Sequence, residues 1–177
     1  MTAKKNILCI VGSAGTQSGN RILIDYIAGA LQQEYHVAIF DELASLPHFN
    51  PELSVGEVPL PVVDFRNNVE QTDAVLICTP EYVFSIPSGL KNAIEWCVAT
   101  TIFSGKPTAL ITASAHGQKG HEELQLIMKT LGADFTPNTT LLIQGIKGKT
   151  DAAKGITDET TRAEVHRLLS YFTQHIK

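Results

Sequence analysis

Five short apolar runs set the tightest limit on how this chain can fold. They lie at Asn6–Val11, Val37–Phe40, Ala74–Cys78, Thr108–Ala113 and Leu141–Ile143. Each is rich in β-branched residues or leucine, and none alternates apolar with polar positions. That is the pattern of strands covered on both faces. Stretches of helical spacing separate them. Leu23, Ile27, Ala30 and Leu31 follow the first run, and Leu90, Ala93, Ile94, Cys97 and Val98 follow the third. Leu124, Ile127, Met128 and Leu131 follow the fourth, and Val165, Leu168, Leu169 and Phe172 close the chain. A weaker pattern covers about Pro61–Gln71. These stripes are read as core packing. Strand and helix in alternation imply right-handed crossovers onto a parallel sheet. The expected fold is a three-layer α/β/α sandwich with a five-stranded parallel sheet of order 2-1-3-4-5. No linker, repeat or low-complexity run interrupts it, so residues 1–177 read as a single domain.

Composition narrows the function classes. Hydrophobic residues make up 44% and charged residues 18%, as in ordinary globular domains. A net charge of −4 leaves no basic footprint for nucleic acid. Cys9, Cys78 and Cys97 form no C-x-x-C pair and no zinc-like spacing, and they sit in apolar surroundings as small core residues. Their odd, sparse number fits a reducing compartment. The apolar run after Lys4 and Lys5 ends at Gly12, short for a signal-peptide core, and no segment approaches a membrane span. The expectation is a cytoplasmic protein without membrane or nucleic-acid partners.

In an open parallel sheet, ligands bind beyond the carboxyl ends of the strands, where the strand order reverses. Three polar, glycine-rich connections leave that edge: Gly12–Asn20, Thr79–Gly89 and Ser114–Gly120. The first, GSAGTQSGN, opens a helix. Backbone N–H groups there, with the Ser and Thr hydroxyls, form a neutral cradle for an anion such as a terminal phosphate. A plain helix-capping loop with Ser18 at the N-cap is the alternative. The second lies within TPEYVFSIPSGLKNAIEW at 79–96, and is longer than an ordinary strand–helix connection. Pro80 and Pro87 stiffen it, so the residues between them can aim backbone groups at the edge of a flat ring. The third, SAHGQKG, has glycines where backbone can pass close to that ring. Phosphate at one end and a flat polar heterocycle at the other describe a mononucleotide such as FMN. The segment Leu46–Pro61, with four prolines, reads as a long surface loop.

Other motifs fail. GIKGKT at 145–150 ends like a phosphate-binding P-loop, but the glycine required at position 143 is Ile143. No G-x-G-x-x-G follows the first strand and no serine lies in G-x-S-x-G. His116 and His121 lack a partnering acidic-histidine motif, so no metal site is expected.

Pro80-Glu81-Tyr82, then Ser85, Pro87 and Gly89-Leu90-Lys91-Asn92-Ala93-Ile94, ending at Trp96, resemble the PEYN-x-S-x-P-G-x-LKNAI-D/E-W signature of the flavodoxin-like NAD(P)H-dependent FMN reductases. That group includes chromate and quinone reductases and azoreductases. Gly12-Ser13, Ser18 and Asn20 are similar to the family's phosphate loop. Ser114, Gly117 and Gly120 fall where its third flavin loop lies, and Leu46-Pro47 with Phe49-Asn50-Pro51 resemble its long loop after the second strand. Two positions depart. Gly15 stands where many members carry an arginine, and Val83 stands where the signature has asparagine.

The resemblance implies non-covalent FMN held by Ser13, Gln17, Ser18, Gly19, Asn20, Pro80, Glu81, Tyr82, Val83, Ser114, His116 and Gly117. It implies NADPH or NADH as donor and a small-molecule acceptor: a flavin, quinone, azo compound or metal oxyanion. The flavin carries the redox chemistry, so no catalytic acid or base is assigned. Glu81 and Tyr82 are expected to position the ring or shape the pocket. A homodimer or homotetramer is implied, with the helix after the signature loop available to a second subunit. An electron carrier of the flavodoxin type and a flavin-free binding protein of the same fold remain the alternatives.

Overall fold

The computed structural model describes residues 3–13, 15 and 18–176. Strands β1 (Asn6–Val11), β2 (His36–Phe40), β3 (Ala74–Thr79), β4 (Thr108–Ser114) and β5 (Thr140–Gln144) form one sheet of order β2-β1-β3-β4-β5. Every pairing is parallel, as the crossovers required. Helices α1 (Gly19–Leu31) and α5 (Glu159–His175) cover one face. Helices α2 (Leu60–Glu70), α3 (Ser88–Glu95) and α4 (Gln118–Thr130) cover the other.

The sheet's pleat sorts its side chains between two cores. Cys9, Val11, Leu76, Cys78, Ile111 and Ile143 meet Leu23, Ile27, Val165 and Phe172. Leu8, Ile10, Val75, Ile77 and Leu110 meet Phe65, Leu90, Ile94, Trp96 and Leu124. With helices on both faces, β3 is buried at every position. Its sequence is accordingly apolar from Ala74 to Cys78, and even the closing Thr79 is buried. The edge strands behave differently. β2 is half-exposed throughout, with His36 and Ala38 in solvent, because only β1 pairs with it. β5 alternates between buried and partly exposed positions. The expectation of strands buried on both faces holds for the three central strands and fails at the two edges. Burial raises the Cys9 thiol to about 12 and pushes Cys78 higher still, so both stay protonated and inert in the core.

Helix α2 starts after Pro59 and carries Pro61 in its first turn, where a missing N–H costs nothing. The proline-rich stretch before it is irregular but tightly tethered by the residues of the LKNAIEW segment. Asn92 accepts from the Phe49 N–H at 2.7 Å and donates to the Pro47 carbonyl at 2.9 Å. The Trp96 indole N–H donates to the same carbonyl at 2.7 Å. The Phe49 ring stands edge-on to the fully buried Trp96, with centroids 5.3 Å apart. Arg66 closes the loop from α2, donating to the Trp96 carbonyl at 2.9 Å and to that of Ser54 at 3.1 Å.

The sequence did not announce a small antiparallel hairpin, β6 (Thr150–Asp151) with β7 (Gly155–Ile156), after β5. Ile156 packs into the α1/α5 core, and Gly155, at φ 72°, lies against the Tyr26 ring.

Asn92→Ala removes two hydrogen bonds that hold the 46–61 loop. The expected cost is about 1–3 kcal/mol, read as a lower urea midpoint, with faster proteolytic cleavage inside that loop. An unchanged midpoint and cleavage rate would mean water replaces the amide without loss.

Candidate functional site

Four connections at the carboxyl edge of the sheet converge on one cleft of about 400 Å³. The first begins at Gly12, whose N–H extends the ladder by donating to the Cys78 carbonyl at 2.8 Å. A Cβ there would lie 2.6 Å from the Thr79 side chain, so only glycine lets the loop leave at this angle. Ser13, almost buried, places its hydroxyl 2.6 Å from that of Ser18. Ser18 caps α1 by accepting the Arg21 N–H at 3.1 Å. Of the two hydroxyl protons in this pair, one makes the Ser13–Ser18 bond and the other is left to donate elsewhere. The first N–H groups of α1 have no partner within the helix. Spare hydroxyl and amide donors at a helix start suit a phosphate, so the donor set fits the anion cradle expected here. Asn20 is present in the cleft wall but its side chain is occupied. It donates to the Ala113 carbonyl at 3.1 Å and accepts from the Cys78 thiol at 3.3 Å, tying α1 to β4 and β3.

The second connection is a braced turn. Tyr82 and Ser85 exchange backbone hydrogen bonds of 2.9 and 3.0 Å, and Val83 and Phe84 between them are left-handed, at φ 52° and 59°. Asn and Gly usually occupy such a pair. Two bulky residues, one β-branched, are strained there by about 1–2 kcal/mol each. Two carboxylates keep the turn in place. Glu81 accepts the N–H groups of Gly117 at 3.2 Å and Gly120 at 2.8 Å, capping α4 from another part of the chain. Glu123, on α4, reaches back to accept the Ser85 hydroxyl at 2.6 Å and the Ile86 N–H at 3.0 Å. Gly120 makes room: a Cβ there would meet the Glu81 side chain at 3.2 Å.

Of the residues expected at the site, Ser13, Ser18, Gly19, Asn20, Pro80, Tyr82 and Ser114 line the cleft. Gln17 lies outside the described residues. Glu81 and Gly117 are joined to each other and neither lines the cleft, so Glu81 links the second loop to the start of α4. His116 is exposed and outside the lining, and Val83 projects into solvent at 94% exposure. Val83 is thus neither packed inside the protein nor part of the cleft wall. Sequence reasoning missed Glu123, and also Gly145, Ile146 and Lys147, which close the cleft from the turn after β5. The latter carry a sequence signal, since β5 ends at the same sheet edge, although GIKGKT matches no phosphate-binding motif.

Charge and position set this cleft apart from two hollows of similar volume. One, of about 420 Å³ beside β2, is ringed by Asp41, Glu42 and Asp64, which repel an anion. The other, of about 370 Å³, lies by Asn6 and His36, at the amino edge of the sheet. His121 is half-buried against the Thr112 hydroxyl at 2.9 Å, and burial lowers its pKa. No group of three metal-ligating side chains occurs among the described residues.

The sequence profile of NADPH-dependent FMN reductase matches residues 5–147, from β1 to the turn that closes the cleft. The chain belongs to this family. Membership places it among the oxidoreductases. The chain is 28% identical to the NAD(P)H-dependent FMN reductase of Pseudomonas aeruginosa, over 92% of this chain and 90% of that one. It is 26% identical to the quinone reductase of Escherichia coli K12, over 100% and 98%. Among solved structures it is similar to FerB, the flavoenzyme NAD(P)H:(acceptor) oxidoreductase of Paracoccus denitrificans, with a TM-score of 0.85, 26% identity and 97% of each chain covered. The fold is flavodoxin-like and shared with that solved flavoenzyme, and no helix among the described residues is long and apolar enough to cross a membrane.

The left-handed turn yields a prediction within the family's signature. Val83→Asn places at φ 52° a residue that tolerates that conformation, at a site with no burial to lose. The expected gain is about 0.5–1 kcal/mol, seen as a higher urea midpoint at constant m-value. A lower midpoint would remove strain as the account of this position.

Proposed function

We propose that this chain is an FMN-dependent NAD(P)H oxidoreductase that passes electrons from a nicotinamide to a small acceptor. The observation that carries the reading is the Ser13–Ser18 hydroxyl pair at the start of α1, opening onto the same cleft as the braced second loop. Family membership supports the cofactor. The activities of the relatives, FMN reductase and quinone reductase, support a quinone or free flavin as acceptor.

Bound in this cleft, FMN would supply the redox chemistry, taking a hydride from NADH or NADPH and releasing electrons to the acceptor. Ser13, Ser18 and the first turn of α1 would hold its phosphate. Pro80, Tyr82, Ser114 and Ala115 would shape the space left for the ring. The Tyr82 ring, half-exposed, would shield part of that space from water. Glu81 cannot serve as a free proton carrier while it accepts two backbone N–H groups, so its work is to keep loop and helix in register. The pairing of identical copies and a cytoplasmic location belong to the same proposal, the first open to analytical ultracentrifugation.

The visible spectrum of the purified protein and titration of the apoprotein with FMN, followed by flavin fluorescence, test the cofactor. Saturable binding is expected, and no binding at accessible concentrations would falsify the proposal. Parallel double-reciprocal plots for NAD(P)H and a quinone are expected of a two-stage electron transfer. An electron carrier would bind FMN but show no such turnover.

Ser18→Ala gives a sharper check. It removes a hydroxyl that can donate to the phosphate, worth about 1.5–3 kcal/mol in FMN affinity, and a helix cap worth about 1 kcal/mol in stability. FMN affinity is expected to fall much more than riboflavin affinity. Equal losses would assign Ser18 to folding alone.

A further inference from the structure

The cradle at the start of α1 is built from neutral donors, yet a phosphate monoester carries about −1.5 to −2 charges at neutral pH. A cation near the cleft would complete it. Arg21, in the first turn of α1, does not fill this role. Its guanidinium bonds Asp25 at 2.9 Å and pairs with Asp41 at the end of β2. Those carboxylates raise its pKa and hold it on the acidic side of the molecule.

Resting on the reading of the cleft as an FMN site, we propose that Lys147, on the turn after β5, is the charged anchor for the ligand's phosphate. Lys147 lines the same cleft as Ser13, Ser18 and Gly19, and it is the one lysine or arginine among the described residues of that lining. Its own hydrogen bonds and ion pairs to described residues are none, so its charge is uncommitted. The neighbouring Lys149 differs. It lies near Asp158 and lowers that carboxyl's pKa, after the Thr161 hydrogen bonds that are the main cause.

The turn that carries Lys147 is well fixed. Gly145, at φ 67°, donates its N–H to the Ala115 carbonyl at 3.2 Å, linking the turn to the third loop. The Gly148 and Lys149 N–H groups close it internally at 3.1 and 3.0 Å, and the Thr150 hydroxyl donates to the Ile146 carbonyl at 3.1 Å. On the other side the turn touches the first residue of α1. A Cβ on Gly19 would lie 2.8 Å from Ile146 Cγ1 and 3.4 Å from the Thr150 hydroxyl. The base of Lys147 is thereby held beside the helix start, while its exposed side chain is free to turn toward an anion there. An exposed lysine kept only for solvation would make no distinction between ligands with and without a phosphate.

The test compares FMN with riboflavin. Apoprotein of the wild type, Lys147→Ala and Lys147→Arg is titrated with each flavin by fluorescence, at low and at high ionic strength. Lys147→Ala is expected to weaken FMN binding about three- to tenfold at low salt, the range of an exposed charge pair strengthened by its cleft. Riboflavin affinity should change by less than about twofold, since a neutral ligand has no charge to lose. The salt dependence of FMN binding should flatten in the alanine variant, and Lys147→Arg should restore most of the affinity. If the wild type binds FMN and Lys147→Ala leaves it unchanged, or weakens both flavins equally, the assignment of Lys147 is overturned while the cofactor reading stands. Wild type that takes up no FMN overturns both.

Discussion

Two carboxylates that exchange places hold the working edge of this molecule together. Glu81 leaves the second loop to cap α4, and Glu123 leaves α4 to cap the second loop. Each satisfies backbone N–H groups that would otherwise lie unpaired near the surface, and each places negative charge at a helix start or a loop that has donors to spare. The two links run in opposite directions, so loop and helix are joined at two separate points. The left-handed Tyr82–Ser85 turn, the glycine at 120 and the order of the third loop all depend on this pair of links.

The central sheet was easy to read in the sequence because burial on both faces leaves an unbroken apolar run, and β1, β3 and β4 have that environment. β2 and β5 were found but misjudged in exposure, since the run of letters does not say which strand ends up at an edge. The tight helix cap at Ser18 was legible from its local pattern. Glu123 was not. It stands 38 residues from Ser85 and looks like any polar position on an amphipathic helix until the fold brings the two together. The turn after β5 is hidden for a different reason: its sequence matches no ligand motif, and only its position at the same sheet edge as the other loops marks it.

The segment from Gly89 to Trp96 carries much of the family resemblance, and none of its residues lines the cleft. Its polar residues hold the chain instead. Asn92 and the Trp96 indole face away from the cleft lining and grip the Pro47–Phe49 stretch, so this part of the resemblance reports how a long loop is anchored. A signature of this kind mixes residues that meet a ligand with residues that keep a loop attached, and only the hydrogen-bond partners separate them.

The turn at Val83 and Phe84 holds a further consequence. Both side chains are largely in solvent, at 94% and 76% exposure, yet the backbone beneath them is pinned by the Tyr82–Ser85 bonds and by Glu123. A mobile loop of the same composition would lose conformational entropy when something packed against it, and that loss would offset much of the gain from covering apolar area. Here the backbone is already held before any contact forms. The tip is therefore an apolar knob on a fixed backbone next to Tyr82 of the cleft wall, and a surface that covers it gains the area of Phe84 at the cost of side-chain freedom alone.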